Sequence, residues 1–293
     1  MSDLDLSQLR ALAAVVDEGS FDAAAGALHL TPSAVSQRIK ALEQSAGRVL
    51  VRRTKPTEAT EAGHAYLRLA RQVEALVQDV RVEVDPGAQR PPTIPLAVNG
   101  DSLATWVLPA LASLAGTAYF DVRREDEGRT AELLRSGTVM AAITSDAAPV
   151  QGCRATRLGT MRYRPMASPA FVDEWFADGV DAASLALAPV VVFDRSDDLQ
   201  DAYLRQRSRR RLAPPRHHVP ASSQFAEAIA LGLGWGMLPK EQYAERQEAG
   251  ALVDLDPARH VDVTLHWQQW ALQTPALEAT AHAIQVAAAE HLA

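Results

Sequence analysis

Residues 20–44, SFDAAAGALHLTPSAVSQRIKALEQ, constrain this chain more than any other stretch. They read as two short helices joined by a tight turn. Ser20 can cap the first helix and Asp22 suits its first turn, while Phe21, Ala24, Ala25 and Leu28 share one side at helical spacing. His29-Leu30 interrupts the pattern. Thr31 followed by Pro32 starts a second helix, a hydroxyl cap and then a proline that fits the first helical position. Val35, Ile39 and Leu42 repeat at i, i+4 and i+7, and the opposite face carries Ser33, Ser36, Gln37, Lys40 and Gln44. Such a face is either solvated or meets a partner. Small hydroxyl residues at a helix start approach phosphates closely, and Ser and Gln read base edges in a major groove.

The next residues favour the partner. Between positions 38 and 55 lie Arg38, Lys40, Arg48, Arg52, Arg53 and Lys55, with Glu43 as the sole acid. A local basic cluster fits phosphate contact. Residues 49–60, VLVRRTKPTEAT, read as a two-stranded wing turning at Thr54-Lys55-Pro56. The expected DNA-contacting residues are therefore Thr31, Pro32, Ser33, Ser36, Gln37, Arg38 and Lys40 on the helix, and Arg52, Arg53 and Lys55 with Arg48 on phosphates. The expected partner is double-stranded DNA.

Residues 5–17 form a first helix with Leu6, Leu9, Leu12, Ala13 and Val16 on its inner face, closing a three-helix core within residues 1–60. Residues 61–84 read as one long helix of about 36 Å. Along it Tyr66, Leu69, Val73, Leu76 and Val80 alternate in steps of three and four, a heptad seam that a second copy would cover. Two-fold dimerisation would place two recognition helices about one DNA turn apart, or a multiple of that. Residues 85–92, DPGAQRPP, read as a hinge.

Beyond the hinge, short strands alternate with helices, which implies parallel sheet covered on both faces. Strands are expected at 93–98, 119–123, 139–144, 163–167, 190–193, near 218–219, and at 235–238 and 261–270. Helices are expected at 103–114, 130–136, near 171–177 and 198–208, and at 224–231 and 277–292. The architecture is α+β, with a second domain over 93–293 in two lobes, lobe I about 93–162 and 268–293 and lobe II about 163–267.

Open α/β sheets bind ligands beyond the carboxyl ends of their strands. That rule selects Asn99, Asp101 and Ser102, then Glu125 and Asp126, then Thr144, Asp194 and Ser222. Several are acids, and a carboxylate in a partly dry cleft wants a cationic partner. Each is also compatible with an ordinary loop acid or helix cap.

The sequence from Leu6 to Gly63 resembles the N-terminal domain of the LysR-type transcriptional regulators. The marks are the SFDAAAGALHLTPSAVSQRIKALE run, Arg52-Arg53 and the Thr60-Glu61-Ala62-Gly63 entry to the long helix. The likeness extends over the whole chain and is nearest the basic-amino-acid branch, the lysine-export and arginine regulators. AVNGDSLATW at 97–106, FDRSDDLQDAYL at 193–204 and GLGWGMLP at 232–239 carry it. The resemblance implies a winged helix-turn-helix, a dimerising linker helix and a periplasmic-binding-protein-like sensor. It also implies a small-molecule effector, lysine or arginine, and activation of an amino-acid exporter gene through RNA polymerase by a homodimer or homotetramer.

Other classes fit less well. A net charge of −7 argues against a protein that coats DNA without selectivity, but not against specific binding by a locally basic module. Cys153 is the single cysteine, which leaves no disulfide frame and no cysteine-built metal site. His217-His218 lacks partners at metal-ligand spacing, and GLGWG lacks the spacing of a dinucleotide fingerprint. No catalytic constellation, cofactor or metal is expected. There is no apolar run of about 18 residues, and MSDLDLSQLR is unlike a signal peptide, so a cytoplasmic protein off the membrane is expected. The alternatives are a binding protein for some other small molecule, an enzyme with an accessory domain, or a nucleoid or replication-initiation protein.

Overall fold

The structure is a computed structural model that describes residues 4–84, 91–125 and 127–293. Residues 85–90 of the expected hinge therefore lie outside the described residues.

The N-terminal module has three helices, α1 (Leu6–Asp17), α2 (Phe21–Ala27) and α3 (Pro32–Ala46), and a two-stranded antiparallel wing, β1 (Val51–Arg52) and β2 (Glu58–Ala59). The caps do what their chemistry allows. Ser20 Oγ accepts from the Ala23 amide and Thr31 Oγ1 from the Ala34 amide, with Pro32 opening α3. The turn between α2 and α3 is tight because His29 takes a positive φ of 54°. Val35, Ile39 and Leu42 are buried with Leu9, Leu12, Val15, Ala24 and Ala25. The inner face of α1 is rotated from the expected one. Ala11 and Val15 are buried, whereas Leu6 is 46% exposed and Ala13 and Val16 are half-buried.

The linker helix α4 (Glu61–Val84) leaves the wing at Thr60, whose hydroxyl donates to the Val49 carbonyl and accepts from the Gly63 amide. A Cβ at Gly63 would lie 1.9 Å from the Leu50 carbonyl oxygen, so only glycine permits this approach. Leu67 and Ala70 are buried on the winged-helix core, whereas Leu76 and Val80, further along the seam, are exposed.

The sensor begins with β3 (Thr93–Val98). A helix follows in three pieces without a break: α5 (Gly100–Ser102), a π-helical turn (Leu103–Val107) and α6 (Leu108–Ala112). Pro109 has no N–H to offer Thr105, which is consistent with the widened turn before it. Next come β4 (Tyr119–Arg124), α7 (Glu127–Ser136), β5 (Ala141–Thr144) and β6 (Cys153–Ala167). Lobe II adds α8 (Pro169–Trp175), α9 (Ala182–Leu187), β7 (Val190–Val192), α10 (Leu199–Arg207), β8 (Arg216–His218), α11 (Ser222–Ala230), β9 (Gly236–Pro239), α12 (Lys240–Glu248) and β10 (Val253–Asp254). The chain returns through β11 (Val261–Trp270) and ends in α13 (Pro275–His291).

The main sheet runs β10-β6-β11-β5-β3-β4, with β9 also paired to β6. β3 is parallel to β4 and β5. The long strands β6 and β11 are antiparallel and span both lobes. β11 meets β5 through His266–Gln269, and β6 meets β9 and β10 through its last residues. Where 163–167 was expected as a separate strand, it is the end of β6. The first half of β6 is mostly solvent-facing and gives no apolar signal. β7 pairs β8 in parallel and touches Trp235 through one bridge, which joins it to the lobe II layer.

Candidate DNA-reading face and effector cleft

On α3, Thr31, Pro32, Ser33, Gln37 and Lys40 are exposed, and Ser36 and Arg38 are half-buried. Thr31 and Ser33 share a hydrogen bond of 3.0 Å between their hydroxyls, which fixes the first turn. On the wing Arg52, Arg53 and Lys55 are exposed. The Arg53 guanidinium lies 4.8 Å from the Phe21 ring centroid, a cation–π contact that holds it at the start of α2. Glu43, the lone acid of this region, turns inward. Its Oε1 accepts from the Leu50 amide at 2.8 Å and the Val51 amide at 3.4 Å. Its charge thus holds the wing onto α3.

The sensor has a cleft of about 350 Å³ between the lobes. From lobe I it is lined by Asn99, Gly100 and Asp101. From lobe II come Phe193, Asp194, Ser196, Asp197, Asp198, Leu199, Gln200, Phe225 and Met237, and Tyr163 and Val263 come from the crossing strands. Four of these side chains are carboxylates and none is Lys, Arg or His.

Asp101 joins the two sides. Its Oδ1 accepts from Ser222 Oγ at 2.5 Å and from Gln242 Nε2 at 3.4 Å, and its Oδ2 accepts from Tyr163 OH at 2.9 Å. Gln242 Nε2 also donates to Ser222 Oγ at 2.6 Å. The loop after β7 is built on its own acids. Asp194 Oδ1 accepts from the Ser196 amide and hydroxyl, both at 2.6 Å, and Asp197 accepts from the Phe193 and Leu199 amides at 2.9 and 3.1 Å. Burial pushes the Asp197 carboxyl above its ordinary range, against the pull of those amides, and the charge of Asp101 adds to the rise.

Of the residues selected by the strand-end rule, Asn99, Asp101 and Asp194 line the cleft, and Ser222 reaches it through Asp101. Ser222 is the first residue of α11 rather than a loop residue before it. The cap of α5 is Asn99, whose Oδ1 accepts from the Ser102 amide at 3.1 Å. Ser102 is fully buried and its Oγ has no hydrogen-bond partner. Two residues fall elsewhere. Glu125 follows β4, the outermost strand, and is not among the lining residues. Thr144 is buried and its Oγ1 accepts from the Asp146 amide at 3.1 Å, shaping that turn instead. Asp126 lies outside the described residues. Sequence reasoning missed Tyr163, Gln200 and Gln242. Asp197 and Asp198 stand beside Asp194 in the same loop, and the strand-end rule would have reached them had it been extended by four residues.

Burial raises the Cys153 thiol to about 11, so it stays protonated and unreactive at neutral pH. Among the described residues no group of three or more His, Cys, Asp or Glu is placed to hold a metal ion. Among the same residues no helix is long and apolar enough to cross a membrane.

A basic winged helix joined by a long helix to a two-lobed α/β sensor defines a ligand-responsive DNA-binding regulator. The comparisons agree. Residues 6–64 match the bacterial regulatory helix-turn-helix proteins of the lysR family, and residues 88–289 match the LysR substrate binding domain. This chain belongs to the LysR family of transcriptional regulators. It is 44% identical over 289 residues to the lysine export transcriptional regulatory protein LysG of Corynebacterium efficiens, covering 96% of each chain. The crystal structure of ArgP from Mycobacterium tuberculosis is similar with a TM-score of 0.93 at 46% identity, over 99% of both chains. Full-length LysG from Corynebacterium glutamicum with bound effector Arg is similar with a TM-score of 0.82 at 39% identity, again over 99% of both.

Proposed function

We propose that this chain is a cytoplasmic regulator that senses a basic amino acid, arginine or lysine, between its sensor lobes and activates an amino-acid exporter gene. Residues 1–60 bind operator DNA, with Ser33, Ser36, Gln37 and Lys40 in the groove and Arg48, Arg52, Arg53 and Lys55 on phosphates. Residues 61–84 pair with a second copy, giving a homodimer or a homotetramer, and residues 93–293 sense. As an activator it would engage RNA polymerase. The observation that carries the effector assignment is the clustering of Asp101, Asp194, Asp197 and Asp198 in the lining of one cleft, with no Lys, Arg or His among the described lining residues. Carboxylates gathered in a confined space favour a cationic guest. The lysine-export name of one relative and the arginine bound to another support the same reading.

Thermal unfolding of the purified protein against a panel of amino acids tests it. A ligand at about a hundred times its Kd stabilises the folded sensor by roughly 2.7 kcal/mol. A rise with arginine or lysine and none with leucine or glutamate is expected. A rise only with an acidic or aromatic compound would overturn the effector class and leave the regulator intact.

A further inference from the structure

A cavity of about 730 Å³ lies apart from the effector cleft, where the winged helix, the linker helix and lobe I meet. Val16 and Asp17 at the end of α1 form one wall, α4 forms a second, and the start of β3 with Met140 and Trp270 forms the third. The effector cleft sits beyond the other end of β3, roughly 17 Å along the strand. The volume is that of a small-molecule site, about 300–1,000 Å³, and such sites favour domain boundaries.

On α4 the cavity is lined by Arg71, Glu74, Ala75 and Gln78, spaced i, i+3, i+4 and i+7 on one helix face. Leu69, Val73, Leu76 and Val80, the seam offered to a second copy, lie on the opposite face. Pairing through that seam therefore does not cover this wall. Among the described residues, the charges on the walls have partners with one exception. Arg71 pairs with Asp17, Glu74 with Arg10 at 2.9 Å, and Arg123 with Asp121 at 3.4 Å. Asp79 also lines the cavity and has no hydrogen bond or ion pair. Burial alone raises its carboxyl above the ordinary range, with no opposing charge to pull it back. Across the cavity Ile94, Met140 and Trp270 are buried, and the Trp270 indole N–H has no acceptor. A lone carboxylate facing apolar side chains and an unused donor suits a guest with a cation, an apolar body and an acceptor.

We propose that this cavity is a second ligand site, for a small organic amine with an apolar body, with Asp79 on the ammonium and Ile94, Met140 and Trp270 against the body. It is independent of what the effector cleft binds. Arg71, which joins Asp17 of α1 to the Gly137 carbonyl, is part of the wall. A guest here therefore touches winged helix, linker and sensor at once and favours the arrangement in which they meet.

Tyramine carries all three features, para-ethylphenol lacks the cation, and para-hydroxyphenylacetate has an anion in its place. Full-length protein labelled with fluorotryptophan should give one fluorine resonance for each of its five tryptophans, and Trp270→Phe identifies that of Trp270. Tyramine should move this resonance saturably, binding about fivefold more tightly than para-ethylphenol, and para-hydroxyphenylacetate should not move it. Asp79→Asn should reduce tyramine to the affinity of para-ethylphenol. Ala75→Phe, which fills the cavity from the linker side, should abolish the response to both. No saturable shift with tyramine overturns the proposal. So does an advantage over para-ethylphenol that survives Asp79→Asn, or a response unaltered in Ala75→Phe, as expected if tyramine acted through the effector cleft.

Discussion

Replacing Gly63 by alanine sets two effects against each other, and the structure decides between them. Gly63 is the third residue of α4, and alanine in a helix interior is ordinarily about 1 kcal/mol better than glycine. Here the new Cβ would fall 1.9 Å from the Leu50 carbonyl oxygen, 2.9 Å from its carbon and 3.3 Å from Ala59 Cβ. The oxygen cannot yield freely, because it accepts the Thr60 amide at 2.9 Å at the point where the wing meets the linker. Overpacking of this kind typically costs about 1–3 kcal/mol and exceeds the propensity gain. Gly26 is the control. It lies in α2 with ordinary helical backbone, and its added Cβ would meet nothing within 4 Å. Gly26→Ala should raise stability by up to about 1 kcal/mol. For a domain of this size 1 kcal/mol moves Tm by about 4–8 °C. Calorimetry of the full-length protein, following the winged-helix transition, should show a drop of several degrees for Gly63→Ala and a small rise for Gly26→Ala. A Gly63→Ala protein melting at or above the parent would refute the reasoning.

Three further outcomes can be checked. Lys55→Ala should weaken operator binding and lower the slope of log affinity against log salt by about 1, as removal of one phosphate contact requires; an unchanged slope in a titration from low to moderate salt would remove Lys55 from the backbone. Leu76, 44% exposed on α4, should lie in the seam between copies, so Leu76→Glu should shift the mass measured by sedimentation toward the monomer, and an unchanged mass would place the dimer contact elsewhere. Asp197 must be ionised to hold a cation, and burial raises its pKa. Arginine affinity should therefore fall, as pH drops through that raised value, earlier than an ordinary aspartate would allow. In the empty protein the sign is opposite: the charge on Asp197 costs stability above the unfolded-state pKa, and that cost vanishes as pH falls through the raised folded value. Titration of Asp197→Asn should lose the acid-side decline.

The winged helix was legible because its signals are local. Ser20, Thr31-Pro32 and the Val35, Ile39, Leu42 stripe each act within one turn, and each does in the fold what the residues suggest. The phase of α1 was less legible, since Leu6 is apolar yet exposed and the small Ala11 fills the core. In the sensor, the strand-end rule found Asn99, Asp101, Asp194 and Ser222 but also selected Glu125 and Thr144. The rule knows where strands end and not which strand is central, and β4 turns out to be outermost. Gln242 was invisible for a different reason. It sits in α12, KEQYAERQE, a polar segment that gave no helical stripe and buries a single residue. Tyr163 lies mid-strand in β6, where no end rule applies, and Gln200 sits in the first turn of α10, past the loop that the rule selects.

The linker helix does more than separate two modules. Arg71 donates to the carbonyl of Gly137 and pairs with Asp17 at the end of α1, so one side chain joins sensor, linker and winged helix. Arg68 donates to the Arg135 carbonyl at 3.4 Å and to that of Gln151 at 3.3 Å. Both arginines thus meet carbonyls at the C-terminal end of α7, where a helix carries partial negative charge. The approach is close enough that a Cβ at Gly137, whose φ is +73°, would lie 2.7 Å from Arg68 Cα. A rotation of lobe I about α4 has to break these charge-assisted contacts together, because they share one helix end. Such a contact is either made or broken and does not stretch by degrees, which favours discrete arrangements of the assembly over a soft hinge. The proposed effector can then act only through a difference in its affinity for those arrangements. The physical route to that difference is short. The cleft lies on the crossing strands β6 and β11, β11 carries β5 through His266–Gln269, and the turn that ends α7 at Gly137 leads directly into β5.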